Sequence, residues 1–256
     1  MICLLSPAKI QNFSDTTSVN KHTIPQHLEP ASYLMDRIKQ LSISEMADIL
    51  KVNANIAQLN VDRHFSWQLP FTVQNSKQAV FVFNGEVYHG LNPNTLSTKQ
   101  IDYLQSHLRI LSGLYGVLRP LDLIQAYRLD VGDKIQLEGV KNLYNFWGSK
   151  ITASINQAFE ETKHAERVLL NLSSGEYMKC IQRSMLHAKV MDFEFLQSVD
   201  EGYKPIVVYI KKARGMMVRY VVENKIEHVE DLKGFNSEGY WYNHQLSTPT
   251  KMVFTR

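Results

Sequence analysis

Short apolar runs alternating with helical patterns constrain the fold of this chain most strongly. Residues 2–5, 167–172, 189–196 and 206–210 are rich in Leu, Ile, Val and Phe and are predicted to be strands. Continuous apolar strands interspersed with helices are typical of a sheet covered on its faces. We therefore predict a mixed α/β fold with a central, mostly parallel or mixed sheet covered by helices.

Several helix starts can be located from capping patterns. Ser42 with Glu45 forms a capping box, as does Ser97 with Gln100, and Asn53 is suited to cap a further helix. The apolar spacing over residues 144–159 predicts one continuous helix.

Other segments are predicted to be extended. Residues 79–83 have the β-branched and aromatic content of a strand, and the turn signal Asn84-Gly85 suggests a return at residues 87–88. Residues 239–242 and 252–254 are predicted to form a last hairpin. At 256 residues and 44% hydrophobic, the chain can bury about 70 to 75% of its unfolded surface, so we expect a single domain over residues 1–256.

A second feature is the absence of acidic residues between Gly202 and Val222. The cations of this run are Lys204, Lys211, Lys212, Arg214 and Arg219. If the strand at 206–210 continues directly into a helix, these cations lie near a helix start, where the positive macrodipole disfavours them. A bound phosphate would relieve that cost and would use the free amides of the first turn. The run therefore predicts an anion site.

The remaining composition limits the function classes. A net charge of +3 is mild, so a nucleic-acid interface must come from clustered cations. Cys3 and Cys180 form no CxxC pattern, and no His, Cys or acidic cluster has metal-ligand spacing, so we expect no metal site. No Walker A or GxGxxG sequence occurs, so no cofactor is expected. No apolar run suits a signal peptide or membrane span, which favours a cytoplasmic protein.

Three of the predicted strands end in similar polar segments. Those segments supply the hydroxyls of Ser6, Ser173 and Ser174 and the cations Lys9, Lys179, Lys211, Lys212 and Arg214. If the strands are parallel neighbours, these groups share one crevice at the carboxyl ends, where α/β sheets bind ligands. The alternative is that strand ends simply become polar as they reach solvent.

Residues 111–129 place Arg119 and Arg128 within an apolar frame. Each guanidinium is either in a buried pair, with Asp122 or Asp130, or presented to a planar anion. Candidate catalytic residues for the same crevice are Ser6, Asp122, Glu176 and Tyr177. Each can equally be a helix cap, a core hydroxyl or part of a structural ion pair.

A set of motifs spanning essentially the whole chain resembles the peroxide stress resistance protein YaaA family. The motifs are SPAK at residues 6–9, LSGLYGVLRPLDLIQAYRLDVG at 111–132, YNFWG at 144–148, NLSSGEYMK at 171–179, KKARGMMVRY at 211–220 and GFNSEGY at 234–240. The chain departs from the family pattern at Ile10, where threonine is usual, and at Ala126, Asp130 and Val131, where the family's usual sequence is PYRLEMG.

The resemblance implies a cytoplasmic bacterial protein of the oxidative-stress response that limits free intracellular iron and protects DNA. It also implies an unusual single α/β fold with a positively charged cleft, a helix-hairpin-helix-like element and binding to double-stranded DNA. That element maps best to residues 44–60, although the connection 51–55 lacks the glycines that bring such a hairpin close to phosphate. Two packed core helices are the alternative.

Three hypotheses follow. In the first, the protein binds the phosphate backbone of double-stranded DNA through Lys9, Arg119, Arg128, Ser173, Lys179, Lys211, Lys212, Arg214 and Arg219. In the second, it is an enzyme acting on a nucleotide, a damaged base or another phosphorylated small molecule in the same cleft. In the third, Cys3 or Cys180 handles iron or peroxide directly.

Overall fold

The central sheet is built from short, buried strands in a computed structural model that describes residues 1–15, 17–162 and 165–256. Its strands are β1 (Ile2–Leu5), β3 (Leu108–Ser112), β4 (Gly116–Leu118), β6 (Val168–Asn171), β7 (Lys189–Val199), β8 (Gly202–Lys204), β9 (Trp241–Tyr242) and β10 (Lys251–Thr255), while β2 (Lys77–Gln78) and β5 (Leu123–Ile124) form a separate pair. The helices of the described ranges are α1 (Leu28–Ile38), α2 (Ile43–Leu50), α3 (Ala54–Ser66), α4 (Ala79–Val82), α5 (Glu86–Leu91), α6 (Thr98–His107), α7 (Leu143–Trp147), α8 (Lys150–Glu161), α9 (Gly175–Met178) and α10 (Val207–Asn224).

The sheet order is β4-β3-β1-β6-β7-β10-β9, with β8 paired to β7. The five inner strands run parallel, whereas β4, β8 and β9 pair antiparallel with their neighbours. The inner strand β1 is buried along its whole length, as expected from its unbroken hydrophobic sequence. The predicted mixed α/β fold, with a mostly parallel sheet covered by helices, is confirmed, and so is the hairpin of β9 and β10.

The capping predictions are also confirmed. The backbone N–H of Ser42 donates to Glu45 Oε2 at 2.8 Å, and that of Ser97 donates to Gln100 Oε1 at 2.8 Å. The Asn53 side chain accepts from the backbone N–H of Ile56 at 3.0 Å at the start of α3. Each of these starts is decided within four residues, which is why sequence alone can locate it.

Two strand predictions are wrong. Residues 79–83 and 87–88 lie in or beside the helices α4 and α5, and residues 206–210 form the N-cap and first turn of α10, where the Ile210 N–H donates to Ile206 O at 2.9 Å. The β-branched content of 79–82 reflects complete burial, not strand pairing. Consequently the cations Lys211 and Lys212 lie in the second turn of a long helix, not at the point where a strand ends.

Close contact between helices α5 and α10 accounts for part of this difference. An ideal Cβ at Gly215 would lie only 1.7 Å from Val87 O, so α10 touches the backbone of α5 directly there. Such an approach requires glycine and a helical partner, and neither is visible from local strand propensity.

The helix predicted over residues 144–159 is divided into α7 and α8. Gly148 separates them with φ 50° and ψ −123°, a conformation open to glycine but strained for other residues. The apolar residues that predicted the helix are nevertheless buried on both sides of Gly148, since Trp147, Ile151 and Ile155 are all fully buried.

The segment 44–60 consists of most of α2, a three-residue connection and the first half of α3. Lys51 in the connection has φ 53°, the left-handed conformation that glycine usually adopts. Met46, Leu50 and Ala57 of this hairpin are buried in the core, so the two helices are packed structural elements. Nowhere in the described ranges is there a helix with the length and apolarity needed to cross a bilayer.

Candidate nucleic-acid interface

The carboxyl ends of β1 and β6 lie side by side. The two strands are parallel neighbours with Leu4 opposite Asn171, so the segments that follow them leave the same edge of the sheet. The backbone N–H of Ser174 donates to Ser6 Oγ at 2.9 Å, which joins the two segments directly. Two of the three strand ends grouped by sequence are therefore brought together.

The serine hydroxyls at this edge are mostly used within the protein. Ser173 is buried and its Oγ donates to Asn171 Oδ1 at 2.8 Å, while the side chain of Ser174 caps α9. The Ser6 hydroxyl lies 3.4 Å from Ser174 Oγ. These hydroxyl groups stabilise the two turns by internal hydrogen bonds, so binding of an anion at this edge would depend on the cationic residues.

Asp130 links several of the predicted site residues. Its Oδ2 forms an ion pair with Lys9 at 3.4 Å, and its Oδ1 accepts from the Tyr177 hydroxyl at 2.9 Å. The backbone N–H of Asp130 donates to Asp133 Oδ2 at 2.7 Å. We call Ser6, Lys9, Asp130, Asp133 and Tyr177 the strand-end cluster.

Two groups of the strand-end cluster have displaced pKa values. Burial, with a further contribution from the charge of Asp130, raises the pKa of Asp133 to about 6, against the opposing effects of a backbone hydrogen bond and nearby cations. Burial, and secondly the charge of Asp130, raises the pKa of Tyr177 well above its usual value. Tyr177 therefore acts as a neutral hydrogen-bond donor to Asp130, and Asp133 can exchange a proton near neutrality.

Glu176 lies at the rim of this cluster. Its side chain is beside Gly132, where an ideal Cβ would be 2.0 Å from Glu176 Oε1, and its carbonyl accepts from the Tyr144 hydroxyl at 3.2 Å. Glu176 is exposed, so its carboxylate is accessible from solvent.

Arg128 borders a cavity of about 10 Å³ together with Lys9 and Asp130. Its backbone N–H donates to His64 Nε2 at 3.0 Å, which ties this segment to α3. The Nε of Arg128 is buried and has no hydrogen-bond partner among the described residues. Arg128 does not form the structural pair with Asp130 that was one alternative from sequence, because Asp130 pairs with Lys9.

Arg119 and Asp122 form a separate structural pair. Asp122 is buried, its Oδ1 lies 2.9 Å from Arg119 Nη2, and the same oxygen accepts from Thr23 Oγ1 at 2.6 Å. Arg119 Nη2 also donates to Ile24 O at 2.8 Å. Asp122 orients Arg119, as one of the two sequence-based interpretations expects, and both groups are engaged internally.

Two cations of α10 are also held by the protein. Lys212 pairs with Glu238, which in turn contacts Arg256 at 3.2 Å. Arg219 pairs with Glu223 at 2.7 Å and donates from Nη1 to Thr95 Oγ1 at 2.7 Å. Arg219 therefore fastens α10 to the segment after α5.

The other α10 cations have no such partners. Within residues 1–15, 17–162 and 165–256, no carboxylate lies at ion-pair distance from Lys211, Arg214 or Lys179, which directly follows α9. The Nε of Arg214 is buried without a partner in that part of the chain, and burial lowers the pKa of its guanidinium. We call Lys211, Lys212 and Arg214 the α10 basic face.

Helix α5 connects the two groups. The Tyr88 hydroxyl on α5 donates to Ser6 O at 3.0 Å. The preceding residue, Val87, contacts α10 at Gly215. The α10 basic face is thus one helix away from the carboxyl end of β1.

Sequence reasoning missed three contributors, which are Asp133, His64 and the pairing of Asp130 with Lys9. The available signal was the DVGD turn at residues 130–133, which places two carboxylates at the end of the segment carrying Arg128. The role of His64 depends on a contact 64 residues apart and had no local signal.

The cysteines do not support direct peroxide chemistry. Burial raises the pKa of both Cys3 and Cys180 to about 12, so neither thiol ionises near neutral pH. Among the residues that the structure describes, no group of three or more His, Cys, Asp or Glu is arranged to hold a metal ion.

Comparison with known proteins identifies the family. The family model described as peroxide stress protein YaaA matches residues 1–246. A UPF0246 protein of Paraburkholderia xenovorans is 43% identical over 256 residues, covering 100% of this chain and 98% of its own. UPF0246 proteins of Paraburkholderia phytofirmans and Neisseria gonorrhoeae are 42% and 44% identical with the same coverage. The chain belongs to the peroxide stress protein YaaA family.

Proposed function

We propose that this protein acts in the cytoplasm in the peroxide stress response by binding the phosphate backbone of double-stranded DNA at the carboxyl edge of its sheet. Family membership is consistent with a stress-response role. The proposed effects, which are less DNA damage and less free intracellular iron, rest on the family resemblance. The proposed DNA contact itself rests on the charges of Arg128, Lys179, Lys211 and Arg214.

The observation that carries the proposal is the state of two arginines, Arg128 and Arg214. Each has a buried Nε–H without a hydrogen-bond partner among the described residues, and neither has a carboxylate at ion-pair distance there. A buried N–H donor without a partner is costly, and a partly exposed arginine can bind phosphate through its other N–H groups. Arg128 lies beside Lys9, which follows β1, and Arg214 lies on α10, which packs against α5.

The internal ion pairs limit how many cations can bind phosphate. Four of the proposed contacts, Lys9, Arg119, Lys212 and Arg219, already have carboxylate partners. The remaining cations are Arg128, Lys179, Lys211 and Arg214. If these four engage phosphates, log affinity should fall with log salt with a slope of roughly −4.

The hairpin of α2 and α3 is a secondary contact in this proposal. His64 on α3 accepts from the Arg128 backbone, so the hairpin and the arginine segment are mechanically linked. Lys51 at its tip is exposed and can approach a second phosphate.

The test is fluorescence anisotropy with a labelled blunt duplex over a salt series. Lys179→Ala with Lys211→Ala removes two exposed cations without disturbing the core, and should weaken binding while making the salt slope less negative by about 2. Lys189→Ala is the matched control, because Lys189 is exposed at the opposite, amino-terminal edge of the sheet.

A slope near zero for the wild type would remove the proposal. Equal losses for the double variant and for Lys189→Ala would show that binding is not located at the carboxyl edge.

A second candidate function is an enzyme acting on a nucleotide, damaged base or phosphorylated small molecule. It is favoured by the two neighbouring carboxyl groups of the strand-end cluster, since Asp130 contacts Lys9 and Tyr177 while burial raises the pKa of Asp133 to about 6. A carboxyl group with a pKa near neutrality is suited to proton transfer. Incubation of wild type and Asp133→Asn with nucleotides and damaged-base duplexes tests it, and the absence of product with wild type would exclude it for those substrates.

A further inference from the structure

A cavity of about 940 Å³ lies beside α3 and shares no lining residue with the strand-end cluster or the α10 basic face. Helix α3 turns Ala57 and His64 towards the core, whereas Leu59, Arg63 and Ser66, which lie on another face of the helix, line the cavity. The volume is within the roughly 300 to 1,000 Å³ of sites that bind small organic molecules. We call it the α3 cavity.

The α3 cavity adjoins the segment that carries Arg128. Gln125 and Ala126, which precede Arg128 in the chain, form part of the cavity wall. On the α3 side, Arg63 is followed by His64, whose Nε2 accepts from the backbone N–H of Arg128 at 3.0 Å. A molecule bound in the cavity is therefore close to a segment proposed to bind phosphate.

Two exposed apolar side chains line the α3 cavity from different parts of the chain. Leu59 on α3 is 49% exposed, and Val73, in the segment before β2, is 54% exposed. Proteins that bind single nucleobases pack the faces of the base against apolar or aromatic side chains. A planar ring in this cavity can cover both Leu59 and Val73.

The charged side chains that line the α3 cavity balance one another within the described part of the chain. Asp15 and Asp62 oppose Lys77 and Arg63. Lys77 is held internally, because its Nζ donates to Asp15 O at 2.6 Å and to Asn12 O at 3.3 Å. A cavity without net charge favours a neutral ring over a phosphate group.

Arg63 and Asp62 retain hydrogen-bonding capacity towards the cavity. Over residues 1–15, 17–162 and 165–256, Arg63 has no carboxylate at ion-pair distance, and its Nη1 donates to Asn60 Oδ1 at the long distance of 3.5 Å. Asp62 Oδ1 accepts from Gln58 Nε2 at 2.8 Å, which leaves Oδ2 for a ligand. A guanidinium fork and a carboxylate on consecutive residues can bind a base that has acceptors and donors side by side.

Guanine has this arrangement of polar groups. Its O6 and N7 accept two hydrogen bonds from an arginine fork, and its N1–H and N2–H₂ groups donate. Adenine has an N6–H₂ donor in place of O6, which an arginine cannot accept from. In paired DNA the N1–H and N2–H₂ groups of guanine are already bound to cytosine, so an unpaired base is required.

We propose that the α3 cavity binds a guanine base, with Arg63 donating to O6 and N7 and Asp62 accepting from N1–H and N2–H₂. The inference goes beyond the proposed function, which concerns phosphate groups. The base can belong to a free nucleotide or to an unpaired position in DNA, and the experiment distinguishes these sources.

Calorimetric titration of the full-length protein with guanosine monophosphate and with adenosine monophosphate tests the cavity without DNA. The two ligands have the same phosphate, so a difference in affinity reports on the base. We expect guanosine monophosphate to bind about tenfold more tightly, as for one bidentate contact. Arg63→Lys keeps the positive charge but removes the planar fork, so the preference should fall to within about twofold.

Arg37→Lys is the matched control, because Arg37 lies on α1 and is not among the described residues that line the cavity. It should retain the guanine preference of the wild type. The DNA source is tested by fluorescence anisotropy with duplexes that carry one bulged guanine or one bulged adenine. Tighter binding of the bulged guanine, lost in Arg63→Lys, would show that the cavity takes an unpaired base of DNA.

The outcomes separate this inference from the proposed function. Equal affinity for the two mononucleotides, together with equal affinity for the two bulged duplexes, would overturn the inference. So would a guanine preference that survives Arg63→Lys. A preference with mononucleotides alone would identify a free nucleotide as the ligand. Failure of a fully paired duplex to bind would remove the proposed function and leave the guanine site standing.

Discussion

The strand-end cluster and the α10 basic face both carry lysines, but they hold them differently. In the strand-end cluster Lys9 faces Asp130, and the neighbouring Asp133 changes its protonation near neutral pH. On the α10 basic face, Lys211 and Arg214 have no carboxylate at ion-pair distance within the described ranges. The first region therefore changes from neutral to negative as the pH rises through the pKa of Asp133, whereas the second keeps a fixed positive charge.

The largest expected effect comes from breaking the physical link between the two regions. Gly215→Ala places a methyl group where an ideal Cβ is 1.7 Å from Val87 O, so α5 and α10 must separate. We expect a loss of about 3 kcal/mol in the free energy of unfolding, the upper end for overpacking, measured by urea denaturation.

Gly175→Ala is the control for this change, because nothing lies within 4 Å of its ideal Cβ. A loss below about 1 kcal/mol for Gly215→Ala would show that the α5–α10 contact is easily adjusted. The two regions would then not be rigidly coupled.

The next effect tests the pH dependence of the strand-end cluster. The pKa of Asp133 rises from about 3.9 in the unfolded chain to about 6 in the folded one. Below about pH 4 both states are protonated, and as the pH rises through 6 the folded state must hold a buried charge, so stability is lost. Asp133→Asn should therefore be more stable than wild type by about 1 to 2 kcal/mol at neutral pH, after allowance for partial exposure.

Urea denaturation of wild type and Asp133→Asn at about pH 7.5 and about pH 4 measures this difference. The gap should close at the lower pH, since the wild-type carboxyl group is then neutral. Equal destabilisation by Asn at both pH values would mean that packing, and not ionisation, controls the site.

A smaller effect concerns the counter-charge on Lys9. Asp130→Asn releases Lys9 for phosphate, so duplex DNA affinity should rise about threefold in the anisotropy assay, as expected for a weak, partly exposed pair. Glu227→Gln makes the same charge change on an exposed residue near the amino-terminal Met1 and should have less effect. An equal gain in DNA affinity for both variants would show that Asp130 acts only through the net charge of the protein and not through its pair with Lys9.

The smallest expected effect is none at all. Because the pKa of Cys180 is raised to about 12, Cys180→Ser should consume peroxide and react with iodoacetamide at the wild-type rate of the folded protein. Cys3→Ser should behave in the same way. Faster peroxide consumption by wild type would restore a thiol mechanism beside the strand-end cluster.

The parts of the fold that follow from sequence are those decided locally. The caps at Ser42, Asn53 and Ser97 need only the next few residues, and the unbroken burial of β1 follows from its composition. Grouping Ser6 with Ser174 needed one further assumption, that β1 and β6 are parallel neighbours, and the topology supplies it.

The parts that do not follow from sequence depend on distant contacts. Residues 206–210 have strand composition, but Val207, Val208 and Tyr209 are exposed in the first turn of α10. Their apolar character therefore reflects a surface and not a buried strand. The partner of Lys9 likewise could not be identified from sequence. Asp130 lies 121 positions away, and its place two residues after Arg128 suggested a pair with that arginine instead.

The lengths of the outer strands have a consequence for behaviour at high concentration. The long parallel sheet ends in β4, of three residues, and β9, of two residues, each paired antiparallel to its neighbour. An outer strand of two or three residues offers too few free backbone groups to template the addition of another chain. Folded molecules should accordingly resist edge-to-edge polymerisation at high protein concentration.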